Sequence, residues 1–339
     1  MDAAMIDEPL YGLVDIGGTK VVAAIATATQ ILETKRVLTE AAGGADAVTN
    51  RVAAAIREVQ GSLGLAERAL RGVGVSVPGP LDTLAGIVSF TPNLPGWVDY
   101  PVAARLSAAL DGVPVFIDDD ANCAGLGEAV FGAGRGHEHQ VYLTISTGIG
   151  GGIIIGGRVY RGFQDAAGEA GHITIIPGGP ECGCGNSGCM EAVASGTAIA
   201  RRGRQLLVQD QSASLAALAG GVPERVTAAM VFDAARDGDR GCTMVVEDAA
   251  TYLGIGLATI VQLLNPAAIV LGGGVMEQSD FFLPLVDRRM RTHLFRVQRQ
   301  GVVLLKATLG EQSGLWGALQ LVRQETGVAV SQLARVGAP

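Results

Sequence analysis

Short apolar runs, bounded by glycine, proline or aspartate, alternate along the chain with longer stretches of helical spacing. This is a strand–helix alternation. Tyr11–Asp15, Val21–Ile25 and Ile31–Val37 read as strands, the first two joined by a Gly-Gly turn. Ala45–Gln60 has helical spacing. Arg71–Val77 reads as a strand stopped by Pro78-Gly79-Pro80, and Val113–Ile117 as a strand stopped by Asp118-Asp119-Asp120, with a helix over Ala121–Val130. Val141–Ser146, a glycine turn at Gly148–Gly152 and Ile153–Ile155 then repeat the opening device. The later half predicts a helix over Met244–Leu264 ended by Asn265-Pro266, a strand at Ala268–Leu271 followed by Gly272-Gly273-Gly274, and a helix near Phe281–Leu294. A strand at Val302–Leu305 and a last helix at Ser313–Thr326 follow.

The class is therefore α/β. The returning strand, glycine turn and strand predict two similar domains. The expected division is residues 1–120, then 121–312, with the helix at 313–326 packing back on the first domain and a tail at 327–339.

Composition narrows the picture. Of 339 residues, 48% are hydrophobic and 17% charged, enough apolar surface to exclude disorder as the overall state. The 49 glycines are about twice the usual share, without a collagen period, so they predict turns where backbone meets backbone or a ligand. A net charge of −8 with no basic stripe excludes nucleic acid and anionic membrane as partners. The uncharged stretches Val141–Gly157 and Ala249–Met276 are broken by glycines and polar residues, so neither predicts a membrane span. The acidic opening MDAAMIDEPL is not a secretory signal, and a soluble cytoplasmic protein is expected.

Three glycine turns are candidate phosphate cradles, because a turn without β-carbons lets backbone N–H groups approach an anion. The first is Asp15-Ile16-Gly17-Gly18-Thr19-Lys20, in which Lys20 adds a cation and Asp15 could hold a metal-bound water. The others are Ser146–Gly152, with Thr147, Gly148 and Gly150, and Gly272-Gly273-Gly274 at a strand end. A Walker A pattern is absent. The literal G-x-G-x-x-G at Gly183, Gly185 and Gly188 has no preceding strand and is not a dinucleotide fingerprint.

Three of the five cysteines, Cys182, Cys184 and Cys189, crowd one short loop, and His172 precedes them. Three thiolates and an imidazole make a closed tetrahedral set suited to structural zinc. Among the acids, Asp118, Asp119 and Asp120 stand where a strand gives way to a helix. Asp120 reads either as a base or as the cap of that helix. Glu169 lies three residues before His172, Glu191 flanks the cysteine loop, and Asn93 sits in a Pro/Gly-rich loop.

Asp15-Ile-Gly-Gly-Thr-Lys20, Asp120-Ala-Asn122, Glu169-Ala-Gly-His172 and Cys182-x-Cys-Gly-x-x-Gly-Cys-x-Glu191 together resemble the ROK family of repressors, open reading frames and sugar kinases. The likeness runs in the expected order over roughly residues 11–320. It implies a duplicated actin-like, ribonuclease-H-like ATPase fold with two domains around a cleft, and ATP- and Mg²⁺-dependent phosphorylation of a hexose at its 6-hydroxyl. Glucose is the first expectation; N-acetylmannosamine, N-acetylglucosamine and fructose are alternatives, as is a sugar-sensing regulator without catalysis. By the same resemblance Asp120 is the catalytic base. Gly79, Asn93, Glu169, His172 and Glu191 contact the sugar, and His172, Cys182, Cys184 and Cys189 bind Zn²⁺. Gly17–Lys20 and Thr147–Gly150 hold phosphates, and Gly272–Gly274 lies on the adenosine side. A homodimer or homotetramer is expected. One departure stands out: many members carry Asn where this chain has Asp119, and a second acid there should raise the pKa of one of the pair.

Overall fold

The computed structural model describes residues 8–66, 68–91 and 94–327. They form two compact units. The first gathers the residues up to Glu138, Gly152–Ala167 and those from Glu311 on; the second gathers His139–Gly151 and Gly168–Gly310.

The chain opens with β1 (Leu10–Ile16), β2 (Lys20–Ala26), β3 (Ile31–Leu38), α1 (Ala45–Ser62) and β4 (Leu70–Val77). Three short strands follow, β5 (Leu81–Asp82), β6 (Ile87–Phe90) and β7 (Val98–Tyr100), then α2 (Val102–Ala109), β8 (Val115–Asp119) and α3 (Asp120–Val130). Next come β9 (Gln140–Ile145), β10 (Ile149–Ile155) and β11 (Arg158–Val159). The helices α4 (Met190–Ala194), α5 (Gly196–Val208), α6 (Ala213–Ala219), α7 (Ala228–Arg236) and α8 (Arg240–Leu264) precede β12 (Ala268–Gly272). The chain closes with α9 (Ser279–Thr292), α10 (Arg296–Gly301), β13 (Val303–Lys306) and α11 (Ser313–Glu325).

The first sheet has the order β3-β2-β1-β4-β8, with β1, β4 and β8 parallel and the β1–β2–β3 hairpins antiparallel. Because β1 is covered on both faces, it reads as a continuous apolar run. Leu10, Val14 and Ile16 pack toward α1 residues Val48, Val52 and Ile56, whereas Tyr11 and Leu13 pack toward Leu315, Leu319 and Val322 of α11. The second sheet has the order β11-β10-β9-β12-β13. Each sheet thus sets a three-strand meander beside two further strands that run parallel to the first of the three.

α3 and α11 meet backbone to backbone. A Cβ on Gly317 would lie 1.7 Å from the Cys123 carbonyl oxygen, and one on Gly127 would lie 2.5 Å from that of Ser313. Only glycine allows this approach. Gly317→Ala is therefore expected to cost about 3 kcal/mol of stability, read from the urea midpoint at unchanged m-value.

In the second unit α8 is long and apolar enough to cross a membrane by length and composition, but 61% of its most apolar window is buried inside the protein. Its Val246, Leu253, Leu257 and Val261 are fully covered, as in a core helix.

Three features differ from the sequence reading. The chain leaves the first unit after Glu138, not at residue 120, because the close contact with α11 holds α3 there. The Gly148–Gly152 segment is a turn only to Gly148; Gly150, Gly151 and Gly152 lie inside β10. Gly151 and Gly152 serve close approach instead: a Cβ at Gly151 would meet the Gly168 carbonyl at 2.7 Å, and one at Gly152 the Ala121 carbonyl at 2.8 Å. The small sheet β5-β6-β7 and the helices α4–α7 have no counterpart in the sequence reading.

Candidate active site

The register of the first sheet lines up its chemistry. Asp15 of β1 pairs with Ser76 of β4, and Ser76 with Asp118 of β8. All three therefore stand at the carboxyl ends of parallel strands, where ligands bind in α/β sheets. Ser76 Oγ donates to Asp15 Oδ1 at 2.8 Å. Burial raises the pKa of Asp15, and the charge of Asp120 adds to the rise.

Asp119, not Asp120, caps α3. Its backbone is extended (φ −60°, ψ 148°), and its Oδ1 accepts the Ala121 N–H at 3.0 Å. Its Oδ2 accepts the Gly79 N–H at 3.1 Å, so Gly79 is spent on holding this acid. Asp120 begins the helix with its side chain free of the capping task and open to solvent. Even so, the protein around Asp120 raises its pKa, against opposing hydrogen bonds from the Ala121 N–H and Asp119. Burial and then the Asp120 charge push Asp119 up to about 7. The two neighbouring acids act as a pair that holds one proton near neutral pH.

Asp118, 1% exposed, is tied down on both oxygens. Arg161 donates to Oδ2 from Nε (2.9 Å) and Nη2 (2.6 Å), and Oδ1 accepts the Asp119 N–H and Asn122 Nδ2, each at 2.9 Å. Sequence reading missed Arg161, because no local pattern links it to an acid 43 residues earlier. Gly17, Gly18 and Thr19 form the β1–β2 turn, closed by the Gly17 N–H on the Lys20 carbonyl at 2.9 Å. Lys20 Nζ and Arg36 Nη2 both reach Glu311 Oε2 at 2.9 Å, another pairing invisible in sequence. Asn93 lies outside the described residues.

In the second unit, Thr147 and Gly148 form the β9–β10 turn, closed by the Ser146 N–H on the Gly148 carbonyl at 2.9 Å. Gly272 pairs in register with Thr144, so Gly272–Gly274 leaves the sheet beside that turn. Gly273 (φ +87°) packs so closely that a Cβ would lie 2.4 Å from the Ile145 carbonyl oxygen. Glu191, in the first turn of α4, accepts the Ile149 N–H on Oε2 at 2.8 Å. A Cβ on Gly148 would lie 2.3 Å from that oxygen, so the turn and the acid brace one another.

His172 Nδ1 stands 3.6 Å from Cys182 Sγ, Cys184 Sγ stands 3.7 Å from Cys189 Sγ, and ligand atoms of all four residues lie within 4.8 Å of one another. Tetrahedral zinc, with bonds of about 2.3 Å to sulfur and about 2.0–2.1 Å to nitrogen, sets ligand–ligand edges of about 3.6–3.8 Å. The donor set and its spacing fit that ion. Two devices fold the loop. Gly185 (φ +92°) donates to the Cys182 carbonyl, and Gly188 (φ +73°) sits where a Cβ would lie 1.7 Å from the Ile176 carbonyl oxygen. Cys182 Sγ also lies 3.6 Å from Glu191 Oε1, and His172 Nε2 lies 3.7 Å from Glu169 Oε2. The cysteine loop therefore touches both flanking acids directly or through His172.

Known proteins align with most of this chain. A glucokinase from Halalkalibacterium halodurans is 35% identical over 93% of this chain and 95% of its own length. The crystal structure of a ROK hexokinase from Thermus thermophilus superposes with a TM-score of 0.82 at 35% identity, covering 94% of this chain and 100% of that one. A ROK family glucokinase from Streptomyces griseus, solved with glucose and AMPPNP, gives a TM-score of 0.75 at 34% identity over 93% of this chain and 99% of its own. The fold is the duplicated actin-like ATPase fold, in agreement with the repeated strand order. A profile of the ROK family matches residues 11–325, and the chain belongs to that family.

Proposed function

We propose that this chain is an ATP-dependent hexose kinase that transfers the γ-phosphoryl group of ATP to the 6-hydroxyl of glucose. The observation that carries the reading is its full-length likeness to glucokinases, which agrees with a carboxylate of raised pKa at a strand end. A sugar hydroxyl is a weak nucleophile until its proton has an acceptor. Asp120 takes that proton as the O6–P bond forms in line and the bond from the γ-phosphorus to the bridging oxygen of ADP breaks. A base whose pKa lies nearer the working pH than that of a free aspartate is better matched to this transfer.

The backbone N–H groups of the Gly17–Lys20 and Thr147–Gly148 turns hold phosphate oxygens, and Gly272–Gly274 borders the adenosine. Gly150 lies inside β10 and not in the turn. Lys20 exchanges Glu311 for a phosphate when nucleotide binds. Asp15 suits a water on Mg²⁺, which when bound neutralises charge on the transferring phosphoryl group. Asn93, Glu169, His172 and Glu191 hold the sugar hydroxyls. Gly79 acts through Asp119. His172, Cys182, Cys184 and Cys189 would hold Zn²⁺ as a structural ion: four protein ligands would leave no position for water, and the ion would stiffen the segment between Glu169 and Glu191. An enzyme that consumes ATP and hexose is placed in the cytoplasm, as a homodimer or homotetramer.

A coupled ADP-release assay over glucose, mannose, fructose, N-acetylglucosamine and N-acetylmannosamine tests the reading. Glucose is expected to show the highest kcat/KM. Absence of turnover with every sugar would overturn it.

Asp119→Asn probes the acid pair. Asparagine still caps a helix well, but the hydrogen bond through which Asp119 holds the Asp120 pKa down is lost, so the pKa of Asp120 rises. The base must be unprotonated to work, so the acid limb of the kcat/KM profile should move to higher pH. An unmoved limb would show that the two acids do not share their proton.

A further inference from the structure

Asp118 and Asp119 end β8 and Asp120 opens α3, with Asp15 of β1 near them, and the Arg161 guanidinium is bound into the row. We propose that Arg161 is a positioning residue for phosphoryl transfer: through the Asp118 carboxylate it fixes the strand-to-helix turn that presents Asp119 and Asp120. The inference rests on the reading of Asp120 as base.

The contacts form a chain of short hydrogen bonds. Arg161 grips Asp118 Oδ2 from two nitrogens, at 2.9 and 2.6 Å. The other oxygen of the same carboxylate receives the backbone N–H of Asp119 and the side chain of Asn122, one turn into α3. Asp118 therefore sets the peptide immediately before Asp120, and Arg161 sets Asp118. Arg161 is itself held. Its carbonyl accepts the Ala167 N–H at 3.0 Å, and within that closed loop Asp165 Oδ2 accepts both the backbone N–H (2.8 Å) and the hydroxyl (3.0 Å) of Thr83. The guanidinium thus approaches from a short loop anchored at two points, not from a free surface arm.

Asp118 is 1% exposed, and a buried carboxylate next to Asp119 and Asp120 would take up a proton unless a cation stayed beside it. A protonated Asp118 loses its fixed acceptor geometry toward the Asp119 N–H. The charged groups acting on the turn are Asp15 from β1, Asp118, Asp119 and Asp120 from β8 and α3, and Arg161 after β11. Among the described residues, Arg161 is the cation hydrogen-bonded to the row, whereas Lys20, near Asp15, is bonded to Glu311.

The test compares Arg161→Met, Arg161→Lys and the double variant Arg161→Met/Asp118→Asn in the full-length enzyme. Each is followed by kcat, the two KM values, the pH profile and thermal melting. Arg161→Met is expected to lower kcat about 10²-fold, the scale of a misplaced catalytic group, while KM for ATP stays within about twofold. Loss of the cation raises the neighbouring carboxylate pKa values, so the acid limb should move to higher pH. Arg161→Lys should bring the limb back while kcat stays reduced, because lysine restores charge but not the planar two-nitrogen grip. The double variant removes the unpaired buried charge, so it keeps the test open if Arg161→Met alone fails to fold. It should melt near the wild type yet keep the low kcat. Wild-type kcat in a folded Arg161→Met or in the double variant would overturn the proposal, and so would an unmoved acid limb. Asp120→Asn measured in parallel separates the two ideas: full turnover there defeats the base assignment whatever Arg161 does.

Discussion

Asp120→Asn is expected to lower kcat for glucose by about 10²–10⁴-fold, the usual contribution of a positioned general base. The change keeps the size of the side chain and removes only its ability to take a proton. KM for glucose should move little, because the hydroxyl still meets an oxygen acceptor. Stability distinguishes lost chemistry from lost structure. The folded pKa of Asp120 lies above its ordinary value, so only between the unfolded and the folded pKa does the native state hold a proton that the unfolded chain has released. That contribution is present at low pH and disappears as pH rises through the raised pKa. Asparagine removes the crowding, so the variant should melt at or above the wild-type temperature at neutral pH. A low kcat in a protein of undiminished stability supports the base, whereas near-normal turnover refutes it.

Loss of zinc is expected to have the second large effect. Metal analysis should find one zinc per chain. Cys189→Ser, which removes a fully buried ligand, should lower that to well below one. A zinc held there would tie His172 to three cysteines, and the loop touches Glu169 through His172 and Glu191 through Cys182. Releasing it should lower kcat/KM for glucose about 10²-fold through misplaced sugar-holding groups. AMPPNP binding, followed by calorimetry, should weaken less than glucose binding, because only the Thr147–Gly148 turn is braced on Glu191 and so feels the loop, whereas the Gly17–Lys20 turn does not. Full activity in a protein carrying well under one metal per chain would reject the zinc assignment.

Legibility followed length and locality. β1, β4, β8, β9 and β12 are apolar runs long enough to declare themselves, and α1, α8 and α11 carry enough turns to show their period. β5, β6 and β7 have two to four residues each, too few for an alternation to appear. Three aspartates in a row offered two candidates for the cap; only the backbone of Asp119 and its bond to the Ala121 N–H decide between them. The glycines of β10 resemble a turn in composition, and it is the facing carbonyls of Gly168 and Ala121 that explain them.

By itself the sequence determined the α/β class, the repeated hairpin, the zinc-type ligand set and the acids at the end of β8, because each depends on residues close along the chain. Tertiary structure alone decided which acid caps α3, that Asp118 meets Arg161, that Lys20 meets Glu311, and that Gly127 and Gly317 let two helices touch. Such pairings bring together residues far apart in sequence. Hydrogen-bond directions and the exclusion of water around a carboxylate exist only once the strands are side by side.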